Sequence, residues 1–148
     1  MKKAILLILT LFLTPTPSFS NTKPLSLDEI MEVLKHVESN NDPMAVGDGG
    51  GSYGVLQIRS ACVKDVNRHY GTYYSHEDMF QAECAEEVFK LYARMGIDRY
   101  VKRHGVRPSN EIIVRWHNGG IYQGHLISAT EEYYRKYKLW KKLIELKL

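Results

Sequence analysis

Glu38 is the residue of this 148-residue chain best placed to do chemistry. It lies in the stretch His36 to Ile58, HVESNNDPMAVGDGGGSYGVLQI. The stretch predicts a carboxyl in the last turn of a helix, then a glycine-rich loop, then an apolar run carrying one amide, Gln57. A carboxyl half removed from water holds its proton to higher pH and can serve as a general acid. An isolated Glu at a helix end is ordinarily just a solvated residue; here its neighbours give it more weight. Asn40-Asn41-Asp42-Pro43 stops the helix, and Gly47, Gly49, Gly50, Gly51 and Gly54 let the backbone turn tightly or approach a ligand closely. Gln57 offers an uncharged donor and acceptor suited to sugar hydroxyls and acetamides. Acid–base sites often pair two carboxylates whose surroundings push their pKa values apart. The candidates beside Glu38 are weak: Asp42 precedes a proline and reads as a turn residue, and Asp48 lies within the glycine loop. None of the six histidines is paired at metal-ligand spacing, and no G-K-[ST] follows the glycines. Neither a metal nor another cofactor is expected.

Further along the chain, three more segments join Glu38-Ser39. They are Gly54-Val55-Leu56-Gln57-Ile58, Trp116-His117-Asn118-Gly119-Gly120, and Thr130 to Lys136 with Thr130, Tyr133 and Lys136 at motif positions. In this order and spacing they resemble the signature segments of the soluble-type lytic transglycosylases, lysozyme-like enzymes that cut peptidoglycan. The likeness runs from about Ser26 to Lys138. The short E-S and G-x-x-Q pieces are individually unspecific; four in order are specific. The resemblance implies a lysozyme-like fold and cleavage of the bond between N-acetylmuramic acid and N-acetylglucosamine, with closure of a 1,6-anhydro ring. It implies Glu38 as the single acid and base, and Ser39, Gln57, Asn118 and Tyr133 as substrate-binding residues, Ser39 orienting Glu38 or the acetamido group. Two positions depart from the family pattern: Leu56 stands where Met is frequent, and His117 where Tyr is common. Two alternatives stay open. One is a goose-type-like lysozyme, a hydrolase in which Asp48 positions a water; the other is a wall-binding module that has lost activity.

The elements that must position these residues read as mostly helical. Ser26-Leu27-Asp28-Glu29 is a capping box, and Ile30, Val33, Leu34 and Val37 form an amphipathic stripe. At about 100° per residue Glu38 falls roughly 80° from Ile30, just past the edge of that stripe. Ser60 is expected to cap a short helix through Val66, with a connecting loop over residues 68–74. Ser75 to Asp78 predicts a second box, followed by a core stripe of Cys84, Val88, Leu91, Tyr92 and Met95. Gly96 is expected to bend or end that helix, with Ile97 to His104 as a further one. Pro108-Ser109 opens the next helix, which Asn118-Gly119-Gly120 ends; Asn118 also suits a plain helix C-cap. Ser128 to Glu131 predicts a third box, ahead of Tyr133, Tyr137, Trp140 and Ile144. A small β element is expected within Ser52 to Ile58. The fold class is therefore mainly α, with a very small β element in a single lysozyme-like domain.

Residues 1–20 read as a signal peptide: Lys2 and Lys3, an apolar run from Ala4 to Leu13, Pro15 and Pro17, then Ser18-Phe19-Ser20. The run is too short to span a bilayer, and no later stretch would. The mature domain is then residues 21–148, periplasmic or secreted, with no stable membrane insertion. Removing Lys2 and Lys3 lowers the formal net charge from +3 to +1. Nucleic-acid binding would want a stronger basic excess; patches such as Lys102-Arg103-His104 and Lys141-Lys142 read as solvated helix ends that attract an anionic wall polymer weakly. Export makes a Cys62–Cys84 disulfide the expectation, closing a loop of about 22 residues worth roughly 3 kcal/mol; two buried thiols are the alternative. The expected partner is the glycan strand of peptidoglycan, bound by a monomer. A one-domain exported enzyme of this kind would serve a secretion system, a pilus, conjugation or a phage.

Overall fold

The structure is a computed structural model and describes residues 24–146. The expected signal peptide and the start of the mature chain at Asn21 lie outside those residues. Five α-helices are present among them: α1 (Leu27–Ser39), α2 (Ser60–Tyr70), α3 (Ala82–His104), α4 (Asn110–Gly119) and α5 (Ala129–Glu145). Between α1 and α2 lies a three-stranded antiparallel sheet of β1 (Val46–Gly47), β2 (Ser52–Tyr53) and β3 (Ile58–Arg59), in the order β1-β2-β3. The chain is thus mainly helical with a small sheet, as its patterning predicts. No helix among the described residues is long and apolar enough to cross a membrane.

The helix that ends in Glu38 starts from a formed capping box. Ser26 N donates to Glu29 Oε2 at 2.6 Å, and Glu29 N donates to Ser26 Oγ at 3.1 Å. Ile30, Met31, Leu34 and Val37 are buried, which fixes the rotation of α1 and leaves Glu38 at the margin of the core. Asn40 closes the helix in the left-handed conformation, φ 55°. Asp42 makes the turn expected of it, accepting from Met44 N at 2.9 Å.

The sheet pairs Val46 with Tyr53, Gly47 with Ser52, and Tyr53 with Ile58. Asp48 binds it together: Oδ2 accepts from Ser52 Oγ at 2.8 Å and from Arg59 Nη2 at 2.6 Å. Gly54 has φ 75°, and a Cβ on it would stand 1.7 Å from Met79 O. Only glycine lets the loop lie this close to the neighbouring backbone.

Several local expectations are corrected by the three-dimensional packing. The α2 helix runs through Tyr70 rather than stopping near Val66, is preceded by Arg59 with no side-chain cap, and closes on Gly71. The Ser75–Asp78 box forms, but it caps a 3₁₀ turn, Glu77–Phe80, not the long helix. The α3 helix passes unbroken through Gly96, because that glycine lets Trp116 pack on the helix; a Cβ there would stand 2.8 Å from the Trp116 ring. The buried face of α3 is Ala85, Val88, Phe89, Ala93 and Gly96, with Cys84, Leu91, Tyr92 and Met95 only partly buried beside it. The third box does not form, since Ser128 is itself in helical conformation and caps nothing. Thr130 is the buried polar residue there instead. Its Oγ1 accepts from Arg115 Nε at 2.8 Å and contacts Gly124 O at 2.8 Å, which ties α5 to α4 through the 3₁₀ turn Gly124–Leu126.

Candidate active site

Three helix ends meet at one carboxylate. The last turn of α1 presents Glu38, the last turn of α4 presents His117, and the first turns of α5 present Tyr133. The Tyr133 hydroxyl donates to Glu38 Oε1 in a short hydrogen bond. His117 Nε2 lies 3.5 Å from the same oxygen and 2.9 Å from Leu56 O. A carbonyl only accepts, so Nε2 carries the hydrogen and gives it to Leu56 O, while its positive edge faces Glu38. The Glu38 and His117 side chains are 17% and 8% exposed, so the pair is largely shielded from water. Burial first, and the Glu38 charge second, push the Tyr133 phenol well above its ordinary range, so it stays a donor at any working pH.

This carboxylate opens on a cleft of about 460 Å³ lined by Glu38, Asp48, Gln57, Arg59, His117 and Asn118, among others. Asn118 is exposed at the end of α4 and also borders a shallower hollow, which runs along Tyr133 and Lys136. Lys136 Nζ donates to Val37 O at 2.6 Å, a free carbonyl in the last turn of α1. It thereby fastens α5 to the turn that carries Glu38.

The residues singled out from sequence are thus partly reunited. Glu38, Gln57 and Asn118 line one cleft, and Tyr133 reaches it through Glu38. Gln57 has φ 47° and donates through Nε2 to Gly54 O at 2.9 Å and to Ala45 O at 3.1 Å. Both amide hydrogens are committed to backbone carbonyls, and Oε1 packs against Gly47, where a Cβ would stand 2.2 Å from it. Ser39 is not brought into the cleft. Its Oγ donates to Val55 O at 2.9 Å and accepts from Asp42 N at 3.1 Å, so it clips the end of α1 to the loop before β3. Asp48 does line the cleft. The Ser52 hydroxyl and then Arg59 hold its carboxyl below the usual carboxylate range.

His117 is the residue that sequence reasoning undervalued. It was legible only as a departure within a matched segment, and its place against Glu38 depends on a contact with Leu56, 61 positions away.

The expected Cys62–Cys84 bridge is absent: both residues are free thiols. Cys62 packs against the core and lines the cleft floor, its thiol pushed up to about 12 by burial and then by Asp65. Cys84 Sγ lies 4.0 Å from Gln81 Oε1 at the start of α3. They act as small partly buried side chains of two helices. Among the described residues no three His, Cys, Asp or Glu side chains converge as a metal site requires. The arrangement suits transfer of a proton to and from a bound ligand at one half-buried carboxyl. In comparisons with known proteins, the chain matches no protein-family model, no curated protein sequence and no solved structure.

Proposed function

We propose that the protein is a peptidoglycan lytic transglycosylase with a lysozyme-like arrangement, exported to the periplasm or beyond, and that Glu38 is its single acid and base. The observation that carries this reading is the hydrogen-bonded Glu38 at the mouth of a cleft whose other lining carboxylate, Asp48, is tied to Ser52 and Arg59. Oε1 accepts from Tyr133, so the proton to be donated resides on Oε2. Glu38 gives it to the glycosidic oxygen as the bond from the N-acetylmuramic acid anomeric carbon breaks. The acetamido carbonyl oxygen of the same sugar bonds to that carbon and balances the charge. The Glu38 carboxylate then takes the proton of the 6-hydroxyl, O6 displaces the acetamido oxygen, and a 1,6-anhydro ring closes. No water is consumed, and Glu38 ends protonated as it began. Asn118, exposed on the cleft, is suited to hold sugar amides and hydroxyls beside it, and Gln57 supports the loop that forms the wall.

The second reading, hydrolysis in the manner of a goose-type lysozyme, is favoured by one observation: Asp48, paired with Arg59, lines the same cleft. Mass spectrometry of digested peptidoglycan separates the two, because a hydrolysed product is one water heavier than an anhydro product. Glu38→Gln should lower cleavage by at least about 10²–10⁴-fold, the usual worth of general acid–base catalysis, while binding of glycan strands persists. Asp48→Asn should keep the anhydro product. Products heavier by one water, with Asp48→Asn inactive, would replace the transglycosylase by a hydrolase. Full activity in Glu38→Gln would remove the acid from this site. Glycan binding with no turnover in the wild type would leave a binding module.

A further inference from the structure

The cleft is not the chain's only cavity with a chemical character. On the other side of α4 lies a second pocket of about 200 Å³, between α3 and the segment that follows α4. The two cavities share α4 as a wall: His117 and Asn118 face the cleft, and Trp116 lines the second pocket. We propose that this second pocket is a binding site for a small organic oxyanion, a carboxylate or phosphate on a flat or apolar body, whose charged group pairs with Arg99 and Arg103.

Four observations support it. First, Arg99, Arg103 and His104 from α3 line the pocket together with His125, and no lining residue is a carboxylate. Second, neither Arg99 nor Arg103 has an ion-pair partner among the described residues, whereas Lys35, Arg59, Lys90 and Arg115 are each paired with an acid. Third, the Arg99 guanidinium lies 4.2 Å from the centre of the Tyr122 ring, a cation–π contact that positions the group without using its N–H donors in a hydrogen bond. Fourth, Trp116 Nε1 donates to His125 Nδ1 at 3.0 Å. That bond makes Nδ1 the acceptor, so the ring hydrogen sits on Nε2, a further donor in a residue that lines the pocket.

Arg103 and His104 lie in the last turn of α3, where cations suit the helix dipole without any ligand. That account does not reach Arg99, more than a turn earlier and in cation–π contact with a residue from another segment. Nor does it account for the aromatic wall. Tyr100 and the buried Trp116 give flat surfaces, and the exposed Tyr122 and Leu126 form an apolar lip. A water takes about 30 Å³ of liquid, so the space suits an oxyanion with a ring or short chain attached. The inference does not depend on what Glu38 does.

The test titrates the full chain with benzoate and with phenyl phosphate, following backbone amide resonances and Trp fluorescence, with benzylamine as the control of opposite charge. Saturable shifts at Gly96, Arg99, Tyr122 and His125 are expected, with a dissociation constant of about 1 mM or tighter for at least one of the two anions. The anion that binds more tightly identifies the source as carboxylate or phosphate. Arg103→Gln and the Arg99→Gln/Arg103→Gln pair should bind progressively more weakly, the pair at least about tenfold, with dispersed spectra showing that the fold is kept. The proposal is overturned if neither anion saturates, if benzylamine binds as well, if the double variant binds like wild type, or if the shifts centre on Asp48, Gln57 and Asn118.

Discussion

Tyr133→Phe removes one oxygen atom from the wall of the candidate site, and its effect can be worked out from three contacts. In the native chain Glu38 Oε1 accepts from the Tyr133 hydroxyl and faces His117 Nε2 at 3.5 Å. His117 cannot compensate for the lost hydroxyl, because its Nε2 hydrogen is given to Leu56 O at 2.9 Å. Water compensates in part, since the Glu38 side chain is 17% exposed. A hydrogen bond to a charged group is worth about 1.5–3 kcal/mol. In the proposed reaction the bond strengthens as Glu38 passes from acid to carboxylate, and only that strengthening falls on the barrier. A bond to a neutral group is worth about 0.5–1.5 kcal/mol, so the difference is about 1–1.5 kcal/mol; at 1.4 kcal/mol per factor of ten, kcat should fall roughly five- to twelvefold, and kcat/KM by the same factor. Initial rates of release of soluble fragments from peptidoglycan, measured across substrate concentrations, give both. The Glu38→Gln/Tyr133→Phe pair should be no slower than Glu38→Gln alone, because the hydroxyl acts through the carboxylate. Three results would refute the reasoning: a rate within about threefold of wild type, which is below the smallest expected difference; a raised KM with unchanged kcat, which would make Tyr133 a sugar contact; or full additivity with Glu38→Gln.

Other outcomes follow from single positions. Gly54→Ala should destabilise the fold by about 2–5 kcal/mol, combining left-handed backbone strain with overpacking against Met79 O; urea unfolding that shows less than about 1 kcal/mol would mean that the loop relaxes freely. Tyr137→Phe should leave stability unchanged or raise it by up to about 1–2 kcal/mol, because the buried Tyr137 hydroxyl has no hydrogen-bond partner among the described residues; a clear drop in Tm would reveal one. Peptide mapping without reduction should return Cys62 and Cys84 as free thiols, with Cys62 the slower to alkylate in the native state because burial raises its pKa to about 12; a linked peptide would restore the bridge that export predicts.

What could be seen in the sequence was what local chemistry settles. The Ser26–Glu29 box and the Ile30–Val37 stripe involve residues within two turns of one another, so α1 and the marginal position of Glu38 were both legible. The α3 helix was misjudged at Gly96, where the usual cost of glycine in a helix is outweighed by a contact with Trp116, twenty residues on. Ser128 failed as a cap because Thr130, Arg115 and Gly124 O settle the start of α5 between them. In the site the residue types were legible before their duties. Gln57 was recognisable as an amide facing a glycine loop, but a positive φ and two backbone carbonyls turn it into the strut of that loop. Ser39 likewise looked like a group for substrate, and its hydroxyl is held by Val55 and Asp42 instead.

The position of Glu38 explains why so many distant residues converge on it. The last turn of a helix carries unpaired carbonyls and the negative end of the dipole, so a carboxylate there is repelled and would swing towards water. Each neighbouring contact opposes that. Lys136 puts a positive charge on the Val37 carbonyl, Tyr133 donates to the carboxylate itself, His117 turns its polarised edge towards it, and Ser39 pins the end of the turn. Lys136 and Tyr133 arrive on α5 from 99 and 95 positions away, and His117 arrives on α4. The Glu38 side chain is therefore oriented only when α4 and α5 are docked on α1. A change that loosens this docking, even far from the cleft, should release the Glu38 side chain before it unfolds the helix that carries it.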